Sequence, residues 1–392
     1  MNIMANFKLS PEMLLRFQER APIYDRENRF FSEDFEELRE TEYLNLAVPK
    51  EMGGHGLNLA EYGKLVREMS YYAPATALAT NMHVYWTGIA ADLMKSGDDS
   101  LKFVLEDSMA GEVLAAGHSE SGNDVPLLYS MTNAEKVDGG YRFTGRKGFG
   151  SLSPVWTRFG LHGMDSSDPE NPKIVHAFMN RDTEGYSIKE SWDTMGMRAT
   201  CSQDTILDGV FVPDDRVARV LPAGAGGADM FVVAVFAWAL IGFANVYYGL
   251  ARRACDIAVA GLKEKKSMAM TRPMSYHPEM QHGVAKMIME LEAMGPHLDK
   301  VAEDWSNGVD HGAEWPAKIM MAKHHAVEAS WRVVDEAMEL SGGFGMFKKS
   351  ELERLFRDCR AGRFHPGNAA LTHEFVAKTA LGISPDEMPR WG

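Results

Sequence analysis

The segment that decides the fold is GGYRFTGRKGFGSLSPVW, residues Gly139–Trp156. It opens on two glycines, which mark a turn. Tyr141 and Phe143 then alternate with polar residues, and a period of two residues predicts a half-buried strand. A second turn is expected at Thr144-Gly145. Because short alternating stretches recur before and after it, this segment lies within a predicted β region.

The second half of the segment contains the first candidate site residues. Two glycines, Gly148 and Gly150, flank Phe149, and Ser151 follows. Glycine lets the backbone come close to a flat ligand, and a hydroxyl two residues beyond an aromatic ring can hydrogen-bond to the edge of that ligand. The alternative is a tight hairpin with a phenylalanine in the core, and periodicity alone favours that alternative.

The β region divides the chain into three parts. Residues 1–112 follow a helical period, residues 113–222 contain short strands separated by turns, and residues 223–392 return to long amphipathic helices after the linker Pro222–Gly227. Closely spaced short strands predict a barrel or a sandwich, and long helices with short connections predict a helical bundle. The predicted strands are Val113–Gly117, Met131–Val137, Tyr141–Phe143, Val175–Met179 and Thr205–Val212. The predicted helices of the last part are Met230–Lys263, His277–Asn307, Glu314–Ser341, Ser350–Ala361 and Asn368–Leu381.

Composition narrows the class of protein. With 392 residues the chain is too long for one core, and its formal net charge of -14 argues against nucleic acid or an anionic membrane as a partner. The three cysteines, Cys201, Cys255 and Cys359, are widely spaced, which fits a reducing cytoplasm and excludes a CxxC metal site. No metal site is predicted. Met230–Gly242 is apolar but too short to span a bilayer, and no signal peptide is visible, so we expect a cytoplasmic protein without a membrane partner.

Four other segments carry groups that could bind a ligand or react. Ser119–Asp124 places hydroxyls, an amide and a glycine after a strand, which suits a polar ring edge but is also ordinary turn chemistry. Ser341–Gly345 holds three glycines after a helix, either as a helix cap or as a phosphate contact. His365 is followed by proline and glycine, which fix its position. His83 lies on an apolar helix, where a lone histidine is usually a buried structural residue.

Taken together and in order, these segments resemble the acyl-CoA dehydrogenase superfamily of flavoproteins, and the resemblance covers nearly the whole chain. Thr144–Ser151 is similar to the T-G-x-K-x-W-I-T/S motif. Phe149 then takes the place of the tryptophan beside the flavin ring, and Ser151 the place of the hydroxyl near flavin N5. The other matching segments are Pro49–Gly56, Ser119–Asp124, Met195–Arg198, Val212-Pro213, Ser341–Gly345 and Arg354–Asp358.

The resemblance implies a fold that is mainly α with a central β domain: an N-terminal α-helical domain, a middle β-barrel and a C-terminal four-helix bundle. It also implies FAD, with FMN as an alternative, at the domain junction. A homodimer or homotetramer is implied as well, in which a neighbouring subunit completes the cofactor site. The cofactor-binding residues it implies are Ser119, Gly122, Asn123, Phe149, Ser151, Gly342, Gly343 and Gly345.

The chain departs from the dehydrogenases of the superfamily, which remove an α-proton with a glutamate. Pro366 stands at the commoner position of that glutamate, and Ala239 stands at the alternative position on the first bundle helix. Ser267 holds the place of the arginine that reaches a partner subunit's FAD. The cations that could replace this arginine are Lys265, Lys266 and Arg272.

In these departures the chain resembles another branch of the superfamily, the flavin monooxygenases typified by dibenzothiophene monooxygenase. His83, Ser151 and His365 match a histidine before the β domain, a serine in the K-x-F-x-S segment and an H-(D)-P sequence of that branch. A flavin C4a-(hydro)peroxide needs hydrogen-bond donors and a dry pocket rather than a carboxylate base. We therefore expect an oxygen-using monooxygenase with these three catalytic residues. Its partners are molecular oxygen, a small organic substrate or CoA thioester, and a separate flavin reductase.

Two other functions stay open at this stage. An FAD-dependent acyl-CoA dehydrogenase would need a non-standard base, for which His365, Asp229 and Glu374 are candidates. A catalytically silent flavin-binding assembly subunit would need no base.

Overall fold

The computed structural model of the chain describes residues 7–224 and 229–387. Within these ranges five α-helices are followed by eight strands and then by five more α-helices. The first helices are α1 (Pro11–Glu27), α2 (Ser32–Glu40), α3 (Leu59–Tyr72), α4 (Pro74–Lys95) and α5 (Lys102–Met109). The strands are β1 (Leu114–Gly117), β2 (Asn133–Val137), β3 (Gly140–Gly150), β4 (Arg158–Asp165), β5 (Lys173–Asn180), β6 (Tyr186–Lys189), β7 (Gln203–Pro213) and β8 (Val217–Pro222). The last helices are α6 (Met230–Glu264), α7 (Pro278–Ser306), α8 (Trp315–Ser341), α9 (Glu351–Arg360) and α10 (Ala369–Leu381).

This order confirms a mainly α fold with a central β domain between two helical parts. Residues 225–227 of the predicted linker lie outside the described ranges.

Capping side chains fix where the first helices begin. The Ser10 hydroxyl accepts the backbone N–H of Met13 at the start of α1, and the Asn58 amide oxygen accepts the N–H of Glu61 at the start of α3. Glu61 in turn accepts the Asn58 N–H, which completes a capping box. α4 is buried on almost every side because it contacts α3, α6 and β1. It therefore lies where the three parts of the chain meet.

The eight strands form one sheet in the order β6-β7-β3-β2-β4-β5-β8, with β1 parallel to β4. No ladder joins β6 to β8 in the described chain, so the predicted barrel is an open one. β3 continues through Thr144-Gly145, where the sequence predicts a turn. The pairing with β7 shifts register there, and Thr132 packs so closely on Gly145 that a Cβ would clash. The glycine therefore permits a bulge in a continuous strand rather than a turn.

The helices after the sheet form a bundle in which α6 packs against α7 and α8, and α10 packs against α8. α6 has 35 residues and is long and apolar enough to cross a membrane. The apolar part of α6 is thus longer than Met230–Gly242, the segment that the sequence analysis judged too short to span a bilayer. Within the protein, 89% of the most apolar window of α6 is buried, so α6 is the core helix of the bundle.

α9 connects the bundle to the sheet domain. The Arg357 guanidinium donates to the Asp25 carboxylate at 2.6 Å and to the Met195 carbonyl at 2.7 Å. The Asp358 carboxylate accepts the Met197 N–H at 2.5 Å. Helices from both ends of the chain therefore hold this turn of the sheet domain in place.

Candidate active site

A cavity of about 370 Å³ lies where α4, the sheet domain, α6 and the segment after α9 meet. Its lining is mostly apolar and includes no Asp, Glu, Lys or Arg side chain among the described residues. A largely apolar wall with a few polar groups is the usual composition of a small-molecule site. The hydroxyl and imidazole groups on the wall belong to Tyr85, His118, Ser119, Ser151, Thr194, Thr200, Ser202 and His365.

The predicted ligand-binding segment forms part of this wall. Phe149 and Ser151 line the cavity, and the Phe149 ring meets the Trp192 ring edge to face at 5.8 Å. Phe149 has a φ of 56°, in the left-handed region that a phenylalanine rarely adopts. Leu127 and Met197, which also line the cavity, share this backbone conformation. Such strain persists only where the surroundings enforce it, and it is concentrated at functional sites.

Three hydroxyls form a row from the cavity wall into the sheet domain. Ser202 Oγ lies 2.7 Å from Ser151 Oγ and 2.7 Å from Thr200 Oγ1. Thr200 donates to the Met197 carbonyl at 2.9 Å, and a carbonyl can only accept. Because each hydroxyl has one proton, Ser202 donates to Thr200 and Ser151 donates to Ser202. Ser151 therefore presents oxygen lone pairs to the cavity, rather than the proton that the resemblance implies.

His365 lines the cavity from the bundle side. Its Nε2 lies 2.6 Å from the Tyr247 hydroxyl, and its ring stacks on Phe243 at 4.5 Å. The Tyr247 hydroxyl has no other partner in the described chain, and burial raises its pKa, so it stays protonated and donates to Nε2. This bond selects the tautomer with the proton on Nδ1. Burial, together with nearby Lys323, lowers the pKa of His365 to about 3, so the ring is neutral.

Both positions that hold the base in dehydrogenases of the superfamily line this cavity. Pro366 follows His365, and Ala239 faces the cavity from α6. Lys323 is buried below the loop and donates to the carbonyls of His365 and Gly367, at 3.4 and 3.0 Å. These bonds fix the loop against the bundle. A small movement of the backbone therefore cannot bring another residue to the position of Pro366.

The structure separates His83 from these residues. Its Nδ1 accepts the Leu114 N–H at 3.0 Å, and its Nε2 lies 3.0 Å from the Leu44 carbonyl and 3.2 Å from the Ser108 hydroxyl. Both nitrogens are thus bonded to the protein, and His83 is not among the residues that line the cavity. This position corrects the expected catalytic role: His83 connects α4 to β1 as a buried structural imidazole.

Sequence reasoning missed His118, which directly follows β1 and lines the cavity. Its Nε2 is buried and makes no hydrogen bond within the described chain, and its ring packs edge-on against Trp86 at 5.3 Å. The sequence feature that could have identified His118 is its position between a buried strand and the polar loop Ser119–Asp124, since loops that follow strands commonly carry binding groups.

Of the residues predicted in that polar loop, Ser119 lines the cavity, whereas Gly122 and Asn123 do not. The Asn123 amide donates to the Glu120 carboxylate at 2.9 Å and to the Tyr129 carbonyl at 2.8 Å. Its side chain therefore closes its own loop instead of facing a ligand in the cavity.

The glycine-rich turn after α8 lies away from the cavity lining. Gly342, Gly343 and Gly345 belong to a short helical turn, and Lys265 donates to the carbonyl of Ser341 beside them at 3.3 Å. Their assignment to the cofactor of a neighbouring subunit stays a prediction, and Lys265, one of the candidate cations, contacts the turn. Within residues 7–224 and 229–387, no group of three or more His, Cys, Asp or Glu side chains is arranged to hold a metal ion.

The similarity to known proteins extends over nearly the whole chain. Amino sugar nitrososynthase DnmZ of Streptomyces peucetius is 28% identical, over 91% of this chain and 88% of that protein. An acyl-CoA dehydrogenase of Bacillus subtilis (strain 168) is 24% identical, over 92% of this chain and 93% of that protein. The solved structure of KijD3 in complex with FMN and dTDP-3-amino-2,3,6-trideoxy-4-keto-3-methyl-D-glucose has a TM-score of 0.83 at 22% identity, over 98% of this chain and 97% of that chain.

Two family models match the sequence itself. The model described as acyl-CoA dehydrogenase, N-terminal domain, matches residues 16–110, and the model described as acyl-CoA dehydrogenase, C-terminal domain, matches residues 241–369. Together they span more than half of the chain, on either side of the sheet domain. The chain belongs to the acyl-CoA dehydrogenase superfamily of flavin-dependent oxidoreductases.

Proposed function

We propose that this protein is a flavin-dependent monooxygenase that uses molecular oxygen on a small organic substrate or a CoA thioester whose reacting part is uncharged. The observation that carries the proposal is that Ala239 and Pro366 occupy both positions of the dehydrogenase base, and no carboxylate of the described chain lines the cavity. A dehydrogenase of this superfamily needs a base to remove the α-proton. An oxygenase needs hydrogen-bonding groups in a dry pocket instead.

The other candidate bases are engaged elsewhere or chemically unsuited. Asp229 accepts the Phe231 N–H as the N-cap of α6, and Glu374 pairs with Lys378 at 2.9 Å on α10. Neither residue lines the cavity. His365 does, but a pKa of about 3 makes it a weak base near neutral pH. These placements argue against the dehydrogenase alternative.

The cavity wall fits the ring of a flavin. Phe149 supplies an aromatic side, and Ser119 and Ser151 place hydroxyls on the same wall. The acceptor oxygen of Ser151 complements the N5–H of a reduced flavin better than the bare N5 of an oxidised one. When bound, reduced flavin supplies the two electrons that activate oxygen. FAD is the proposed cofactor, with FMN as the alternative because KijD3 binds FMN.

His365 supplies a fixed hydrogen-bond donor. Its Nδ1–H is available because Tyr247 occupies Nε2, and the stacked Phe243 ring holds the imidazole plane. A donor that needs no reorganisation stabilises developing negative charge on oxygen more than a mobile one. The ring therefore orients and stabilises an oxygen atom in the cavity without acting as a base.

The composition of the cavity wall also restricts the charge that the bound part of the substrate can carry. A charged ammonium or carboxylate group would lose its hydration in this cavity without meeting a counter-ion, which is costly. We therefore expect the reacting part of the substrate to be uncharged and mostly apolar, with an oxygen or nitrogen atom that can hydrogen-bond. A CoA thioester meets this requirement if its charged part lies outside the cavity.

Stopped-flow mixing of the reduced-flavin complex with oxygen tests the proposal. We expect oxygen to be consumed before the absorbance of oxidised flavin returns. Anaerobic mixing of the oxidised complex with acyl-CoA thioesters is the matched control: prompt bleaching of the flavin by substrate alone would contradict the proposal. A purified protein that binds flavin but neither consumes oxygen in this way nor bleaches with acyl-CoA would instead support the silent flavin-binding subunit.

A further inference from the structure

The protein does not supply hydrogen-bond partners for all the polar groups of the cavity wall. Ser151 bonds to Ser202, and His365 bonds to Tyr247. Tyr85 and His118 also line the cavity, but neither side chain makes a hydrogen bond within the described chain. Polar groups inside folded proteins nearly always have a partner, so a ligand in the cavity gains by providing one.

The polar atoms of both side chains are open to the cavity. Tyr85 is 2% exposed as a residue, yet its hydroxyl oxygen is not among the fully buried atoms that lack a partner. In His118, Nε2 is such a buried atom, whereas Nδ1 is not. The phenol oxygen and the Nδ1 edge of the imidazole are therefore the parts that face the cavity.

The Trp86 ring holds these two side chains in place. Its Nε1 donates to the Ala115 carbonyl at 3.1 Å, which joins α4 to the end of β1. The rings of Tyr85 and His118 pack against it at 5.0 and 5.3 Å, and they lie 6.5 Å from each other between centroids. At this spacing one ligand atom can reach both polar groups. Groups that are already fixed lose little conformational entropy when they bind it.

Both groups are neutral, which restricts what they can bind. Burial raises the pKa of the Tyr85 phenol above its ordinary value and lowers the pKa of His118. A neutral phenol and a neutral imidazole can each donate or accept a hydrogen bond. A hydroxyl can accept from Tyr85 and donate to Nδ1, and a carbonyl can accept from both. A protonated amine or a carboxylate would be buried here without a counter-ion.

We propose, on the basis of the proposed function, that Tyr85 and His118 bind one uncharged oxygen group of the substrate, a hydroxyl or a carbonyl. The rest of the bound part lies on the apolar wall, where Leu78 and Met82 share one face of α4 with Tyr85. The two residues determine specificity, because a substrate with a methyl group in place of the oxygen leaves both polar groups without a partner.

This pair lies beside the wall that fits the flavin. Ser119 follows His118 in the chain, and its carbonyl accepts the Gly148 N–H at 2.8 Å, one residue before Phe149. An oxygen group that is bound by His118 is therefore held close to that wall. The pair orients the substrate against the flavin while the reaction itself takes place elsewhere on the molecule.

Binding of three probes of similar size tests the proposal on the protein with oxidised flavin bound. The probe 4-fluorophenol carries a hydroxyl, 4-fluorobenzaldehyde a carbonyl, and 4-fluorotoluene a methyl group. Titration followed by fluorine NMR gives the three dissociation constants. We expect 4-fluorotoluene to bind about tenfold more weakly than at least one of the other two, and the tighter of those two identifies the oxygen group. Equal constants, or no binding of any probe, would overturn the proposal.

Two variants test the residues themselves. Tyr85→Phe removes only a hydroxyl, and His118→Leu removes the imidazole. In each we expect the preference for the oxygen-bearing probe to fall about fivefold while the affinity for 4-fluorotoluene does not fall. Tyr43→Phe is the matched control, because Tyr43 is a buried tyrosine whose hydroxyl also lacks a partner but which does not line the cavity. A preference that persists in both variants would contradict the proposal.

The affinity for flavin separates this role from cofactor binding. Both variants should bind FAD as tightly as the unaltered protein does, and a loss of flavin affinity as large as the loss of probe affinity would overturn the proposal. None of these measurements requires a reaction with oxygen. Intact probe preference without an oxygen reaction would therefore refute the proposed function alone, and an oxygen reaction without probe preference would refute the oxygen-group site alone.

Discussion

The regions around His83 and His365 place the same residue type in opposite situations. Both rings are neutral, since burial lowers the pKa of His83 to about 4 and that of His365 to about 3. Around His83, backbone groups of Leu44 and Leu114 bond to both ring nitrogens. Around His365, one nitrogen is bonded to Tyr247, and the other makes no hydrogen bond within the described chain.

The difference teaches that a lowered pKa does not distinguish a structural histidine from a functional one. What distinguishes them is whether a nitrogen is left for a ligand and whether the ring reaches a cavity. By this criterion His365 and His118 belong to the candidate site, and His83 belongs to the framework.

The largest effect is expected for His365→Ala. Loss of the fixed Nδ1–H donor should shorten the interval between oxygen consumption and the return of oxidised flavin by about 100-fold. The free energy of unfolding should also fall, by about 1–3 kcal/mol, because the buried Tyr247 hydroxyl loses its partner. Stopped-flow absorbance measures the interval, and urea unfolding measures the stability. An unchanged interval would remove His365 from the site.

A loss of stability without a change in the oxygen reaction is expected for His83→Ala. The backbone groups of Leu44 and Leu114 would be left buried without a partner, which should lower the free energy of unfolding by about 2–5 kcal/mol. The oxygen reaction per folded molecule should stay the same. Urea unfolding and active-site titration separate the two quantities. A large loss of oxygen reactivity at full flavin occupancy would restore His83 as a site residue.

Acid should destabilise the protein through these histidines. The pKa of His83 is about 4 in the folded chain and 6.5 in its ordinary state, so the unfolded chain binds the proton first. Its contribution to stability is complete above pH 6.5 and is lost as the pH falls towards 4, at about 1.4 kcal/mol per pH unit. His83→Gln should remove this part of the slope between pH 6.5 and pH 4 in urea unfolding. An identical slope in the variant would contradict the neutral buried imidazole.

A tenfold effect is expected for Tyr247→Phe. Without the phenol, either nitrogen of His365 can carry the proton, so the donor faces the cavity only part of the time. The interval before oxidised flavin returns should shorten by about tenfold, with the same sign as in His365→Ala. Combining both substitutions should add nothing to His365→Ala alone, because Tyr247 acts only through that ring.

The smallest effect is expected for Ser202→Ala on the sheet side of the cavity. Ser151 would lose the acceptor for its proton and could donate to the cavity instead. A hydrogen bond contributes about 1 kcal/mol, so the preference for reduced over oxidised flavin should fall about fivefold. Anaerobic titration of both flavin forms measures this ratio, and Ser153→Ala is the control, since Ser153 bonds to Gly150 outside the hydroxyl row.

Local signals made much of the fold predictable. The helices after the sheet begin and end within one residue of the predicted bounds, because prolines, asparagine caps and glycines act over a few positions. β4 was not predicted, since it is buried on both faces and shows no alternation. Glycine commonly marks a turn, yet Gly160 and Gly163 lie inside this strand and make room for the rings of Trp86 and Phe143. β6 and β8 are short edge strands with weak patterns of their own.

Some features of the candidate site could likewise be predicted from local sequence, and others could not. Phe149, Ser151 and His365 lie in segments whose local sequence is distinctive, and all three line the cavity. The role of His83 could not be read from the sequence, because the atoms that bond to its ring come from distant segments. The donor direction at Ser151 likewise depends on Thr200 and Ser202, which only the folded sheet brings beside it.

The apolar core helix α6 has a consequence for biosynthesis. Its main partner in the bundle, α8, is complete only about 80 residues later, which takes several seconds at a synthesis rate of roughly 5–20 residues per second. α3 and α4 also pack against α6 and are made before it. α3 and α4 are therefore available to cover this long apolar helix of the nascent chain until the bundle closes.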